Sequence, residues 1–171
     1  MTNKTLVVIG GGAAGFFCAI NAARIHKGLK VILLEKHSKL LSKVKISGGG
    51  RCNVTHDCSS VSELVKHYPR GTNFLKKAFQ KFYTKDTFNW FEERNVQLKI
   101  ESDGRVFPVT DDSQTIINCF LSEANKYGVE ILMNAEVKSI KKDESSSMPF
   151  QITLRNEKKL QANYEIGRAH V

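Results

Sequence analysis

The sequence of 171 residues lacks several features that mark whole classes of protein. No apolar run approaches the roughly 20 residues of a membrane-spanning helix, which argues against a membrane protein. The sequence also contains no internal repeat and no low-complexity segment. The few residues before the first apolar run leave no room for a signal peptide, so we expect a cytoplasmic protein.

Cysteine is also scarce, and its spacing excludes two further classes. The four cysteines (Cys18, Cys52, Cys58 and Cys119) form neither a disulfide framework nor a C-x-x-C motif. Cys18 and Cys119 lie in helical patterns and are predicted to be small core residues. Cys52, Cys58 and His56 could be grouped as metal ligands, but no fourth ligand is placed. We therefore predict no metal site.

Two nucleotide-related motifs are missing as well. The glycine-rich segment at residues 10–15 lacks the Gly-Lys-Ser/Thr ending of a P-loop, which disfavours ATP and GTP. The formal net charge of +9 favours anionic ligands such as dinucleotides. The same charge could serve a nucleic-acid-binding domain. Because no recognised nucleic-acid-binding motif is present, we predict no nucleic-acid partner.

The first 53 residues contain the pattern of a dinucleotide-binding unit. Residues 6–9 are predicted to be a buried strand, and residues 10–15 read G-x-G-x-x-G. A helix is predicted over residues 16–25 and a second buried strand over 31–34. Glu35 follows that strand, 20 residues beyond Gly15, at the offset of a carboxylate that binds a ribose hydroxyl. The order of these elements is more specific than the glycine motif alone.

Each glycine of this motif has a predicted mechanical role. Gly10 permits a tight turn, Gly12 lets the backbone approach a pyrophosphate, and Gly15 lets the helix pack closely on the strand. The helix N-terminus then offers unpaired N–H groups and the positive end of its dipole to the phosphates. The alternative is a tight turn that binds nothing.

A second glycine-rich segment lies in residues 36–55, which we predict to be a long functional loop. Residues 47–53 read Ser-Gly-Gly-Gly-Arg-Cys-Asn. Three consecutive glycines are poorly suited to a regular element but suit a backbone that something must approach closely. Arg51 adds a cation and Asn53 adds a donor and an acceptor. Lys36, Lys43 and Lys45 add charge that suits a pyrophosphate, although a flexible surface loop is the alternative.

The remainder of the sequence predicts the other elements of an α/β domain. Residues 73–94 are predicted to form one or two basic amphipathic helices with six apolar side chains inward, namely Phe74, Leu75, Phe79, Phe82, Phe88 and Phe91. Such a helix can bind membranes or partner grooves, but we favour a helix packed on its own domain. Residues 129–132 are a third parallel-strand candidate. Three strands within residues 136–164 suggest an antiparallel meander.

The last seven residues, 165–171, do not continue the pattern of the preceding strand. Their sequence from Ile166 matches what one reading frame of a common sequencing adapter encodes. We therefore predict that the native reading frame ends near Tyr164 and that residues 165–171 are a non-native tail, leaving residues 1–164 as the domain. Reading the source DNA past codon 164 tests this.

Four segments together resemble one protein family. They are residues 10–15, Glu35 with Lys36, residues 46–53 and residues 104–108, the last reading Gly-Arg-Val-Phe-Pro. They resemble bacterial NAD(P)/FAD-dependent oxidoreductases of the HI0933-like group, which includes aminoacetone oxidase-like proteins and members linked to bile-acid reduction. The resemblance covers residues 1 to about 164, and its most specific part is residues 47–53.

The resemblance implies a Rossmann-like FAD-binding domain with a parallel sheet, crossover helices and an antiparallel meander. It implies that the FAD pyrophosphate lies on the first glycine turn and that Glu35 holds the adenosine ribose. Lys36 and Lys43 would lie beside that half, and the backbone of Val137 would face the adenine. The implied cofactor-binding residues are Gly10, Gly12, Ala14, Gly15, Glu35, Lys36, Lys43, Ser47, Gly48, Gly49, Gly50, Arg51, Cys52, Asn53 and Val137.

Proteins of that group are more than twice this length, which implies that the present chain is the N-terminal portion and is inactive alone. The predicted function is electron transfer between a nicotinamide or an organic substrate and FAD, with NAD(P)H as a possible electron donor. The alternative is an NAD(P)-binding module without flavin. No acid–base pair stands out, so no catalytic residue is predicted. A missing pair does not exclude redox chemistry, because the flavin itself supplies most of it.

Overall fold

The computed structural model describes residues 4–167. The backbone divides into two units, each of which is described by itself. The terminal unit contains the described residues up to Lys43 and those from Phe120 onwards, and the middle unit runs from Val44 to Cys119.

Helices and strands are numbered in chain order. The α-helices are α1 (Ala13–Ile25), α2 (Ser42–Ile46), α3 (Val61–Lys66), α4 (Thr72–Phe79), α5 (Thr84–Glu92) and α6 (Ser113–Lys126). The strands are β1 (Thr5–Ile9), β2 (Lys30–Leu34), β3 (Thr55–His56), β4 (Leu98–Ile100), β5 (Arg105–Pro108), β6 (Glu130–Leu132), β7 (Val137–Lys142), β8 (Phe150–Leu154), β9 (Lys159–Ala162) and β10 (Tyr164–Ile166). Within residues 4–167, no helix has both the length and the apolar character to span a membrane.

The terminal unit is built on a four-stranded parallel sheet in the order β10-β1-β2-β6. Strands β1 and β2 are apolar at nearly every position because both of their faces are covered, as is usual in parallel sheets. On one face, α1 buries Phe16, Ala19 and Ile20. The structure thus confirms the predicted β–α–β start and the third parallel strand.

The other face of this sheet packs against the three-stranded antiparallel meander β7-β8-β9. Val7, Ile32 and Leu34 of the parallel sheet share one buried cluster with Ile152 and Leu154 of the meander. Alternation along β8 places these two side chains on the same face of the meander. The predicted meander is confirmed, and with it the α/β Rossmann-like fold class.

The middle unit has its own three-stranded antiparallel sheet, in the order β3-β5-β4. Its central strand, β5, ends at Pro108, which cannot donate a hydrogen bond to a further ladder position. The predicted helical region over residues 73–94 is two helices, α4 and α5. The inward orientation predicted for two of its side chains is wrong, because Phe74 is 79% exposed and Phe82 is 38% exposed.

Residues 36–55 are more regular than the predicted long loop. They contain the short helix α2, and residues 47–50 form a single turn of 3₁₀-type hydrogen bonding. Gly48 and Gly49 have φ of 57° and 69°, which lie in the left-handed region that favours glycine. The glycine run therefore specifies a tight turn rather than an open loop.

The predicted tail overlaps strand β10, in which Glu165 lies opposite Val7 of β1. Residues 168–171 lie outside the described residues, and the non-native origin of residues 165–171 stays a prediction. One carboxylate oxygen of Glu165, Oε1, is buried and has no hydrogen-bond partner in the described chain. Burial raises the pKa of this carboxyl group, so Glu165 fits its place in the sheet poorly.

Replacing Glu165 by leucine is expected to stabilise the folded chain by about 1 kcal/mol at pH 7, because a buried unsatisfied polar group is removed. The raised pKa means that the folded state binds more protons than the unfolded state. The charged glutamate therefore destabilises the fold as pH rises through its ordinary pKa of about 4.3. Urea unfolding at pH 7 and near pH 4 measures this, and the gain should be smaller at the lower pH. An equal gain at both would exclude the buried charge as its cause.

Candidate functional site

The geometry of the turn after β1 explains why two of its residues are glycine. Gly10 has φ of 111°, and its N–H donates to the carbonyl oxygen of Leu34 at 2.7 Å. A Cβ atom on Gly15 would lie 1.9 Å from the carbonyl oxygen of Gly10 and 3.3 Å from Leu33 Cδ1. The first turn of α1 therefore packs directly on the ends of β1 and β2, and only glycine fits at position 15.

Gly12 has a different environment from Gly15. A Cβ atom built on it would meet no described atom within 4 Å. Gly12 is the N-cap residue of α1, and no side chain caps the helix there. The first N–H groups of α1, including that of Ala14, have no intrahelical partners because of helix geometry. This end of α1 thus presents bare backbone donors beside open space, which suits an anion.

The carboxylate of Glu35 lies at the same turn. Its Oε2 accepts a hydrogen bond from the N–H of Gly11 at 2.8 Å, and its Oε1 accepts one from the N–H of His37 at 2.9 Å. A carboxylate has about four lone-pair directions, so two bonds leave capacity for further donors. Glu35 therefore joins the end of β2 to the glycine turn and can still accept hydrogen bonds from a diol.

Gly11 is part of this arrangement although sequence reasoning left it out of the site. Its N–H is bonded to Glu35, and its carbonyl oxygen accepts a hydrogen bond from the N–H of Leu41 at 2.9 Å. A Cβ atom on Gly11 would lie 2.9 Å from Glu35 Cβ. The close approach of Glu35 thus requires glycine at position 11, a requirement that the motif spacing alone does not reveal.

The terminal unit brings most of its other predicted residues to the same region. The start of the meander is joined to β2 by a hydrogen bond from the N–H of Ala135 to the carbonyl oxygen of Glu35, at 2.8 Å. Val137 begins β7 two residues later, is half-buried and precedes a register shift. Lys36 and Lys43 are exposed, and neither forms an ion pair within residues 4–167.

The second glycine segment, residues 47–53, belongs to the middle unit and packs on β5. A Cβ atom on Gly48 would lie 2.7 Å from Phe107 Cε1, whereas Gly49 and Gly50 face open space. Ser47 Oγ donates to the carbonyl oxygen of Val44 at 3.0 Å. The segment therefore presents backbone rather than side chains at Gly49 and Gly50.

Arg51 is held by its neighbours in the middle unit. Its guanidinium lies 3.9 Å from the centre of the Phe107 ring and donates hydrogen bonds to Glu101 and Asp111. The hydrogen bond that Arg51 donates to Glu101, together with the charges of Glu101 and Asp111, raises the pKa of Arg51. Asp111 also pairs with Lys99. The cation predicted at residue 51 is thus ion-paired, and its contacts hold the glycine turn against β5.

Cys52 and Asn53 also support the turn. Cys52 is 6% exposed, and burial raises the pKa of its thiol, which keeps it protonated at neutral pH. The Asn53 side-chain nitrogen can donate to the carbonyl oxygens of Val106 and Thr55, at 3.2 and 2.7 Å. These contacts join residues 47–53 to the Gly-Arg-Val-Phe-Pro segment, although the two are about 50 residues apart in sequence.

A metal centre does not compete with the anion-binding turn among the residues that the structure describes. Residues 4–167 contain no group of three or more His, Cys, Asp or Glu side chains that could hold a metal ion. Backbone N–H donors, an open approach at Gly12 and an adjacent carboxylate are the features of a dinucleotide-binding turn.

Comparisons with known proteins agree with this geometry. The chain is 30% identical over 139 residues to a ribosomal RNA dihydrouridine synthase of Escherichia coli, covering 81% of this chain and 33% of that protein. It is 26% identical over 134 residues to a 3-dehydro-bile acid delta(4,6)-reductase of Clostridium scindens, covering 78% and 32%.

The fold of this chain is also similar to that of a solved structure. A 3-ketosteroid-delta4-(5alpha)-dehydrogenase from Rhodococcus jostii matches 98% of this chain and 44% of its own, with a TM-score of 0.67 and 15% identity. The chain spans about a third of the length of the curated relatives it matches. Residues 4–166 match the family described as HI0933-like protein Rossmann domain. The chain, whose parallel sheet and glycine turn have the geometry expected of such a domain, therefore belongs to the HI0933-like Rossmann-domain family.

Proposed function

We propose that this chain is the FAD-binding portion of a flavin-dependent oxidoreductase that acts in the cytoplasm. The observation that supports this most strongly is the open backbone at Gly12 with the Glu35 carboxylate beside it. A dinucleotide needs both features, because its diphosphate requires N–H donors without side chains and its ribose requires an acceptor.

The residues of the terminal unit fit the adenosine diphosphate half of FAD. The backbone of Gly10, Gly12, Ala14 and Gly15 would hold the diphosphate, and Glu35 would accept hydrogen bonds from the ribose. Lys36 and Lys43 would offset the phosphate charge, since both are exposed and unpaired within residues 4–167. The backbone of Val137 would face the adenine.

In the middle unit, residues 47–53 would lie along the cofactor towards the flavin. Gly49 and Gly50 have positive φ angles, which favour glycine, and both face open space, so the backbone there is bare of side chains. Arg51, Cys52 and Asn53 would act by holding the turn against β5 rather than by chemistry of their own. When bound, FAD would supply the transfer of a hydride or of electrons, and the chain would bind and orient it.

The reaction proposed is the transfer of hydrogen from NAD(P)H, through the flavin, to an unsaturated organic substrate. The names of the relatives support this direction, because one is a dihydrouridine synthase and another a reductase. They leave two substrate classes open, ribosomal RNA and a bile acid. The chain alone would be inactive, since it covers only a third of those relatives.

The alternative function is an NAD(P)-binding module without flavin. The acidic Glu35 favours a free ribose hydroxyl over a 2′-phosphate, although Lys36 and His37 lie next to it in sequence. The absorbance spectrum of the protein expressed from the full-length gene separates the two. A yellow protein with flavin absorbance supports the FAD proposal, and a colourless protein that binds NADH contradicts it.

Replacing Glu35 by alanine is expected to weaken FAD binding by about 1–3 kcal/mol, the range of a hydrogen bond to a charged group. Isothermal titration calorimetry of the purified chain measures the dissociation constant. Glu93→Ala is a matched control, because Glu93 is an exposed glutamate of the middle unit. Equal affinities of wild type and Glu35→Ala would contradict the ribose assignment.

A further inference from the structure

The basic charge of the chain is concentrated in one segment. Residues 64–85 contain six Lys or Arg residues and neither Asp nor Glu. The segment therefore carries +6 of the net charge of +9. It runs from α3 through α4 into α5, wholly within the middle unit. We call it the basic segment.

The cations of this segment are available to an external partner. All six are exposed, namely Lys66, Arg70, Lys76, Lys77, Lys81 and Lys85. Only Lys66 has a carboxylate partner within the described chain, Glu63 at 2.7 Å. No acidic residue lies between Glu63 and Asp86 in the sequence to offset the charge of the other five cations. The segment therefore attracts polyanions.

Aromatic side chains lie among these cations. Phe74 is 79% exposed and Tyr68 is 42% exposed, and α4 buries none of its residues. The Tyr68 ring lies 5.5 Å from that of Phe79, which fixes it against the end of α4. Lys77 is three residues after Phe74, so the two lie on the same side of the helix. An exposed ring beside an unpaired cation is the pairing that binds a stacked base and its phosphate.

We propose that the basic segment binds single-stranded RNA, with Lys76, Lys77 and Lys81 contacting phosphates and Phe74 stacking on a base. The inference rests on the proposed function in that the RNA would be the substrate of the flavoenzyme. Sequence reasoning disfavours a nucleic-acid partner because no recognised motif is present. Binding through phosphates and stacking needs no such motif, because it does not read sequence.

The same segment is less suited to a membrane surface. An interfacial helix needs a broad apolar face. In α4 only Phe74 is a strongly exposed apolar side chain, since Leu75 and Phe79 are half-buried. The basic segment thus offers five unpaired cations but only one strongly exposed ring on α4, that of Phe74. This combination suits a polyanion with stacking bases better than it suits a lipid layer.

The test is the affinity of the purified chain for a fluorescent single-stranded RNA of mixed sequence, about 20 nucleotides long, measured by anisotropy over a range of salt concentrations. Each phosphate contact with a single strand contributes about 0.7 to the magnitude of the slope of log K against log salt. Replacing both Lys76 and Lys77 by glutamine should therefore reduce that magnitude by about 1.4. Phe74→Ala should weaken binding about tenfold through lost stacking. Neither change disturbs a buried residue, so both variants should fold.

The matched control replaces Lys141 and Lys158, which are exposed lysines of the meander, by glutamine. The control removes the same charge and should leave the salt slope unchanged. An equal loss in both double variants would overturn the proposal, as would binding to phosphatidylglycerol vesicles without binding to RNA. Calorimetry with FAD is run in parallel. A wild-type chain that binds FAD but not RNA overturns this inference alone, and a wild-type chain that binds RNA but not FAD overturns the proposed function alone.

Discussion

Replacing Gly12 by valine is expected to abolish FAD binding while leaving the stability of the chain nearly unchanged. The structure supports both the expected loss of binding and the expected retention of stability. Gly12 has φ of −92° and ψ of −175°, which valine adopts readily, and a Cβ atom there meets no described atom within 4 Å. A branched side chain would instead fill the space through which a diphosphate reaches the N–H groups of α1.

Calorimetry with FAD should show at least about a 100-fold loss of affinity, which corresponds to roughly 2.7 kcal/mol. Urea unfolding of the same protein should give a free energy within about 0.5 kcal/mol of wild type, as for most exposed substitutions. Gly71→Val is an informative control for the stability measurement, because its φ of 83° is strained for valine although its side chain would also meet open space. Unchanged FAD affinity in Gly12→Val would place the diphosphate elsewhere.

Replacing Gly15 by alanine is expected to have the opposite profile, with a large loss of stability. The added methyl group would lie 1.9 Å from the carbonyl oxygen of Gly10, far inside contact distance. That oxygen belongs to the backbone at the end of β1, so it cannot move without shifting the strand. We expect the free energy of unfolding to fall by about 3 kcal/mol, the upper end of the cost of overpacking.

Thermal and urea unfolding of Gly15→Ala, followed by far-ultraviolet circular dichroism, measure this loss. The matched comparison is Gly12→Ala, which adds the same methyl group three residues earlier where the space is open. A loss confined to Gly15→Ala supports the packing of α1 on β1 and β2. Equal stabilities of the two variants would show that the turn does not have this geometry.

The fold was predictable where the signal is local. The runs at residues 6–9 and 31–34 predict strands buried on both faces, and the alternation within residues 150–154 predicts a strand with one buried face. These patterns depend only on the period of the backbone and on which faces are covered. The exposure of Phe74 was not predictable, because helical periodicity shows which residues share a face and not whether a neighbour covers it.

The same distinction applies to the candidate site. The motif spacing predicted that Glu35 binds a ribose at the glycine turn. The structure places its carboxylate in a hydrogen bond with Gly11 of that turn, and the ribose role stays a prediction. The role of Arg51 was not predictable, because its partners Glu101 and Asp111 are 50 and 60 residues away in sequence. Such non-local ion pairs follow from tertiary packing, which a single sequence does not reveal.

The central claim is that the bare end of α1 binds the diphosphate of FAD. The most direct test is a titration of the ¹⁵N-labelled chain with FAD, followed by the amide resonances. We predict saturable shifts of the amide signals of Gly12, Ala13, Ala14 and Gly15, with those of α4 unmoved. Binding of FAD without movement of these four signals, or no binding of FAD by a chain that binds NADH, would contradict the account.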